Sequence, residues 1–80
     1  MRVQILAFGI VKEIAGTAII QIDVAEGATA GALKTALITQ YPKLGELKSL
    51  MIAVNQTYAH RDLPINGGDE VAIIPPVSGG

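Results

Sequence analysis

The chain closes on Ile73-Ile74-Pro75-Pro76-Val77-Ser78-Gly79-Gly80, and this is the stretch whose residue types and order could do chemistry. Pro75 and Pro76 have no N–H to donate, so they stop a sheet ladder and favour a stiff, extended exit. Fully extended, the segment from Pro75 onward reaches roughly 20 Å. No side chain beyond the prolines is larger than Val77, and the two terminal glycines carry no Cβ. An end of this kind threads a narrow channel and accepts backbone angles that other residues refuse. What it would bring into another protein's site is the carboxyl group of Gly80.

A terminal carboxyl with an ordinary pKa of about 3.5 is ionised at neutral pH and is a poor electrophile. Transfer onto it needs activation, for which an acyl-adenylate made from ATP by a partner is the expected form. A sulfur donor attacking that anhydride would leave a thiocarboxylate, whose charge sits on a polarizable, nucleophilic sulfur. The chain contains no cysteine, so it offers no disulfide, thiolate metal site or cysteine nucleophile. Sulfur carried by this chain would ride on the terminus. A Ser-Gly-Gly end also fits an idle linker, so the reading depends on the domain that precedes it.

Other residues offer less. His60 is a lone histidine without a nearby ligand cluster, as expected of a surface loop. Asp62, Asp69 and Glu70 lack the ligand density of a calcium loop. Gly67-Gly68 precedes no helix and reads as a turn, not a phosphate cradle. Lys12 and Glu13 read as solvated surface. No acid–base pair or nucleophile suggests an independent enzyme. No cofactor is expected on the chain itself.

Eighty residues make one domain, half of them apolar and mostly aliphatic, with 16% charged and a net charge of −1. That balance excludes a disordered tail and the basic stripe of a nucleic-acid binder. The apolar run from Val3 to Val11 is interrupted by Gln4 and Gly9, so neither a signal peptide nor a membrane span is expected. The expected location is cytoplasmic.

The elements that must hold the tail follow from periodicity. Arg2 to Phe8 alternates, with Val3, Ile5 and Ala7 on one face and Gln4, Leu6 and Phe8 on the other. A second strand, Ala18 to Val24, carries Ile20, Ile22 and Val24 on one face. Gly9 and Gly16 mark the link, which reads as a long hairpin loop. Thr29 caps a helix whose stripe is Ala30, Leu33, Leu37 and Tyr41, and Pro42 ends it. Lys43 to Lys48 is a connection with room for one helical turn at Leu44 and Leu47. Leu50 to Val54 reads as a buried strand, Asn55-Gln56 as a turn, and Thr57 to Ala59 as a short strand. After an irregular His60 to Asn66 and a turn at Asn66-Gly67-Gly68-Asp69, Glu70 to Ile74 is the last strand.

One amphipathic helix has one stripe to bury, and a mixed sheet has one face to offer it. The order therefore predicts an α+β, β-grasp (ubiquitin-like) domain over residues 1–74. Its mixed sheet has four to five strands, its first and last strands lie side by side in the middle, and one main helix crosses it. Residues 75–80 form an extended tail ending in Gly-Gly.

Ala53-Val54-Asn55-Gln56-Thr57, Gly68-Asp69-Glu70-Val71-Ala72 and Pro75-Pro76-Val77-Ser78-Gly79-Gly80 together resemble the small subunit of molybdopterin synthase (the MoaD family). Phe8 to Glu13 with Gly16 is similar to that family's first loop. The resemblance spans essentially the whole chain. It departs at Ile73 and Ile74, where the family often has phenylalanines, and at Ser78, where it has threonine.

The resemblance implies a non-catalytic sulfur carrier that is active only with the large subunit of molybdopterin synthase. An adenylyltransferase related to ubiquitin activators would use ATP to charge Gly80, and a persulfide donor would convert it to thiocarboxylate. Pro75, Pro76, Val77, Ser78 and Gly79 would thread into the large subunit, where the sulfur attacks cyclic pyranopterin monophosphate during molybdenum cofactor biosynthesis. Two small subunits would sit at opposite ends of a large-subunit dimer, giving a heterotetramer. Phe8, Tyr58 and Ile74 fall at positions that resemble the family's apolar contact with the large subunit. Sister pathways, thiazole synthesis or tRNA thiolation, and a pure interaction module are the competing readings. The diproline and Asn55-Gln56-Thr57 favour the molybdopterin version.

Overall fold

Alternation decides the first strand. β1 (Arg2–Ala7) turns Val3, Ile5 and Ala7 into the core and leaves Gln4 and Leu6 on the other face. β2 (Ile19–Asp23) runs antiparallel to it and buries Ile20 and Ile22. At their far end Arg2 stands opposite Asp23, and the guanidinium Nε donates to the carboxylate at 3.1 Å. That hydrogen bond, helped by the opposite charge, lowers the Asp23 pKa from its ordinary value and raises that of Arg2. Both groups are exposed, so the pair adds little stability. The sign is fixed: what it adds is present above the ordinary carboxylate range and is lost as pH falls through it.

The computed structural model describes residues 1–75, and the expectations for Pro76, Val77, Ser78, Gly79 and Gly80 lie outside the described residues. The link between β1 and β2 is not the expected long loop but a helix, α1 (Gly9–Ala15). Val11, Ile14 and Ala15 share one face by their spacing, and Val11 is fully buried. Gly16, at φ +75°, ends α1 in the left-handed conformation and donates its N–H to the Lys12 carbonyl at 2.9 Å.

α2 (Ala30–Gln40) is the expected main helix. The Thr29 hydroxyl accepts from the Ala32 N–H at 3.2 Å, and Leu33 and Leu37 have no exposed surface. Tyr41 leaves helical geometry before Pro42. A 3₁₀ turn, Pro42–Glu46, then buries Leu44. β3 (Met51–Val54), β4 (Thr57–Tyr58) and β5 (Val71–Ile74) complete a five-stranded sheet in the order β2-β1-β5-β3-β4. β1 and β5 pair in parallel at its centre, and β3 is antiparallel to β5. This is the β-grasp arrangement, with the helices covering one face.

The irregular stretch after β4 contributes more than its sequence suggests. Ile65 is buried in the core, and its N–H donates to the Ala28 carbonyl at 2.8 Å. The same stretch caps α2, because the carbonyls of Leu63 and Arg61 accept from Ala30 and Gly31, each at 2.8 Å. Gly31 would weaken the first turn of α2 on propensity alone, but its bare backbone has a packing reason. A Cβ there would stand 3.1 Å from the Arg61 carbonyl oxygen. Among the described residues no polar side chain is buried and no buried side-chain nitrogen or oxygen lacks a partner.

Helix propensity alone would make Gly31→Ala stabilising by about 1 kcal/mol. Because the new methyl meets a hydrogen-bonded backbone oxygen, overpacking should reverse the sign to a net loss of roughly 1 kcal/mol. Urea denaturation of the two proteins measures this, and a gain in stability would refute the close-approach explanation.

Candidate functional site

The face of the sheet turned away from the helices is the candidate site, and strand register builds it. Leu6 lies beside Ile19 on one side and Ala72 on the other; Ala72 lies beside Ala53, and Ala53 beside Tyr58. A single apolar row therefore crosses all five strands. One step along, Ile74 lies beside Met51. In the opposite direction the same face becomes polar, through Gln4 beside Gln21 and Arg2 beside Asp23. The apolar half is the half from which β5 leads into Pro75.

Phe8 and Tyr58 are 49% and 63% exposed, values far from those of core aromatics. Phe8, Tyr58 and Ile74, which are distant in sequence, line one hollow of about 380 Å³ together with Leu6, Ala53 and Ala72. Scattered apolar residues need no explanation, but here they are contiguous, which makes this face the candidate contact surface. The structure thus brings together the three residues singled out from the sequence. Pro75 is half-buried at the end of β5.

Gln56 and Glu70 form the polar rim of the hollow; the sequence marked both as parts of the family-like segments but not as site residues. A clasp of hydrogen bonds holds this rim. The Asn55 amide donates to an Asp69 carboxylate oxygen at 3.1 Å, and the Asn55 side-chain oxygen accepts from the Glu70 N–H at 3.0 Å. The Asn55 backbone N–H donates to the Glu70 carbonyl at 2.7 Å. The second Asp69 oxygen accepts from the Asn66 N–H at 2.8 Å. The predicted turn at Asn66 is thereby tied to the predicted turn at Asn55. Pairing of Asn55 with a residue so far along the chain gave no local signal.

Asn55 and Gln56 have φ of +52° and +69°, the tight hairpin geometry in which glycine is favoured at the second position. Gln56 holds this strained conformation at the rim of the hollow. His60 stands on an exposed loop with Nδ1 3.7 Å from an Asp62 carboxylate oxygen. Among the described residues no group of three or more acidic, histidine or cysteine side chains could hold a metal ion. No described helix is long and apolar enough to cross a membrane.

Gln56→Gly should relieve the strain of a side chain in the left-handed region and raise stability by about 0.5 kcal/mol after the entropy cost of glycine. Thermal or urea denaturation reads it out. A loss of stability would mean that the Gln56 side chain is needed to hold the turn.

The family model described as the ThiS family matches residues 5–80. The molybdopterin synthase sulfur carrier subunit of Dictyostelium discoideum is 44% identical over 81 residues, covering 96% of this chain and 94% of that protein. Among solved structures, small archaeal modifier protein 1 from Haloferax volcanii superposes with a TM-score of 0.84 at 28% identity, covering both chains fully. A protein–protein complex of subunits 1 and 2 of the molybdopterin-converting factor from Helicobacter pylori contains a chain that matches with a TM-score of 0.67 at 26% identity, again covering both chains fully. A match to the family model over nearly the whole length, reinforced by such a relative, places the chain in the ThiS family.

Proposed function

We propose that the chain is the sulfur carrier of a molybdopterin synthase, with Gly80 as its working end. The observation that carries this reading is the placement of the last strand. β5 lies between β1 and β3, so the chain leaves the sheet beside the apolar hollow. A carrier needs this combination: a surface that docks and, next to it, a chain end that reaches onward. The relatives' names support delivery to molybdopterin rather than to thiazole or tRNA. The complex of subunits 1 and 2 supports a large-subunit partner.

In this reading, the Gly80 carboxylate attacks the α-phosphorus of ATP on a ubiquitin-activating-like adenylyltransferase and pyrophosphate leaves. A persulfide donor attacks the acyl carbon, AMP leaves, and a thiol reduces the new sulfur–sulfur bond to free the thiocarboxylate. Phe8, Tyr58 and Ile74 dock on the large subunit, burying apolar surface that water otherwise covers. Pro75 and Pro76 hold the tail extended, and Val77, Ser78, Gly79 and Gly80 enter the partner's site. There the sulfur attacks cyclic pyranopterin monophosphate, and two deliveries build the dithiolene. Two carriers on a large-subunit dimer make a heterotetramer, and the chemistry is cytoplasmic. The carrier is not itself the catalyst; the large subunit supplies the reacting site.

Intact mass spectrometry tests the reading after incubation with ATP, an activating enzyme and a sulfur source. The expected result is replacement of one oxygen by sulfur, located by fragmentation at Gly80, and none in a variant lacking Gly80. Sulfur found on another residue, or retained by the shortened variant, would reject the terminal-carrier function.

A further inference from the structure

The chain after β4 leaves the sheet early, and its departure opens a second pocket. β3 and β4 pair at Ala53–Tyr58 and Val54–Thr57, and the Ala59 N–H still reaches the Ile52 carbonyl at 2.8 Å. In the same register the next rung would join Leu50 to Arg61. It does not form. The Arg61 carbonyl accepts instead from Gly31 at the start of α2, and the Leu63 carbonyl from Ala30, each at 2.8 Å. Backbone groups along an antiparallel strand turn alternately to its two neighbours. The Asn55 N–H turns to Glu70 beside β5 and the Ile52 carbonyl to Ala59, so Leu50 faces away from β5, as Ile52 does. Neither the N–H nor the carbonyl of Leu50 has a hydrogen-bond partner among the described residues.

Leu50, Ile52 and Ala59 border a pocket of about 180 Å³ whose other walls include Lys34 and Arg61. Two cations and no acidic residue line it. The ion pairs among the described residues are Arg2 with Asp23 and His60 with Asp62, and neither uses Lys34 or Arg61. The first N–H groups of α2 are already taken, by the carbonyls of Leu63 and Arg61 and by the Thr29 hydroxyl. What the pocket offers is therefore an unpaired strand-edge N–H beside two cations, a donor set that suits a carboxylate. Met51 also lines the pocket and lies beside Ile74 at the apolar end of the outer face. The pocket is thus continuous with the face proposed to dock the large subunit. We infer that it is a second anchoring point for that subunit and receives an Asp or Glu side chain from it. Apolar contact at the hollow holds the partner close, and the charged contact to one side fixes its rotation. This rests on the sulfur-carrier reading above.

The test measures affinity for purified large subunit at low and at physiological salt, with thermal midpoints in parallel. The chains compared are the unsubstituted one, Lys34→Gln, Lys34→Glu, Arg61→Gln and, as a control for net charge, Lys43→Glu on the 3₁₀ turn. Lys34→Gln and Arg61→Gln should each weaken binding about fivefold, and Lys34→Glu more. These losses should shrink as salt rises, and Lys43→Glu should change affinity by less than about twofold. The glutamine variants keep the test decisive where Lys34→Glu folds poorly. Quenched hydrogen-exchange NMR should show the Leu50 amide exchanging readily in the free chain and protected in the complex. Pocket variants that bind as tightly as the Lys43→Glu control, or a Leu50 amide left unprotected by binding, would overturn the inference. So would a loss of affinity confined to the activating enzyme. If the unsubstituted chain does not bind the large subunit, the carrier reading falls as well; if it binds and the pocket variants match it, only the second anchor does.

Discussion

The parallel pairing of β1 with β5 is the constraint on which the rest of this structure depends. It joins the first strand to the last, so the central contact of the sheet closes nearly the whole chain into a loop. Such a non-local pairing is entropically costly, and it is held by burial. Val71 and Ile73 of β5 and Ile5 and Ala7 of β1 all face the aliphatic core, with Ile5 and Ile73 showing no exposed surface. β3 grips the other edge of β5, and the Asn55 clasp closes that edge at Glu70. A slip of one residue would reverse every side chain of β5. Ile74 would turn into the core, and the chain would leave toward the wrong face. The register of four residues thus decides on which face, and from where, the chain leaves the sheet.

The same register divides the sheet's labour. One face is sealed by α1, α2 and the 3₁₀ turn and supplies the stability. The other is graded along the strands, charged and amide-bearing at the Arg2–Asp23 end and apolar at the Ile74 end. The grading has a functional consequence, because an apolar patch that is not needed for folding can be given to a partner. In the sulfur-carrier reading proposed above, its position next to the chain's exit sets docking and delivery by one frame. A partner that recognises the hollow receives the tail from a fixed point.

Much of this was legible in the sequence, and what was not has physical reasons. Two-residue alternation in β1 and β2, the Thr29 cap, the stripe on α2 and the Pro42 stop are local signals, and each element formed as read. α1 was hidden because Ile10, Val11 and Ile14 are β-branched and look like strand residues, and because seven residues make a weak periodic signal. Gly16 was a usable clue, since a glycine after a short apolar stretch is the usual helix stop. Ile65 sits in a segment without periodicity, and its burial comes from contacts with the start of α2. By propensity a glycine at position 31 is a defect in a helix, and its reason, the Arg61 carbonyl, lies across space and leaves no local signal. For the site, Phe8 and Ile74 could be assigned to an outward face from alternation. Tyr58 needed the resemblance, and the row through Leu6, Ala72 and Ala53 needed strand register that no single strand contains.

The central claim is that this domain exists to present a chemically loaded end to a partner, and one measurement addresses it most directly. The chain is prepared with a thiocarboxylate at Gly80, freed of activating enzyme and ATP, and mixed with the large subunit and cyclic pyranopterin monophosphate, and dithiolene product is quantified. The account predicts product in proportion to the thiocarboxylate supplied and none from the same chain bearing an ordinary carboxylate. Product formed from the carboxylate form, or none formed from the loaded one, would contradict it.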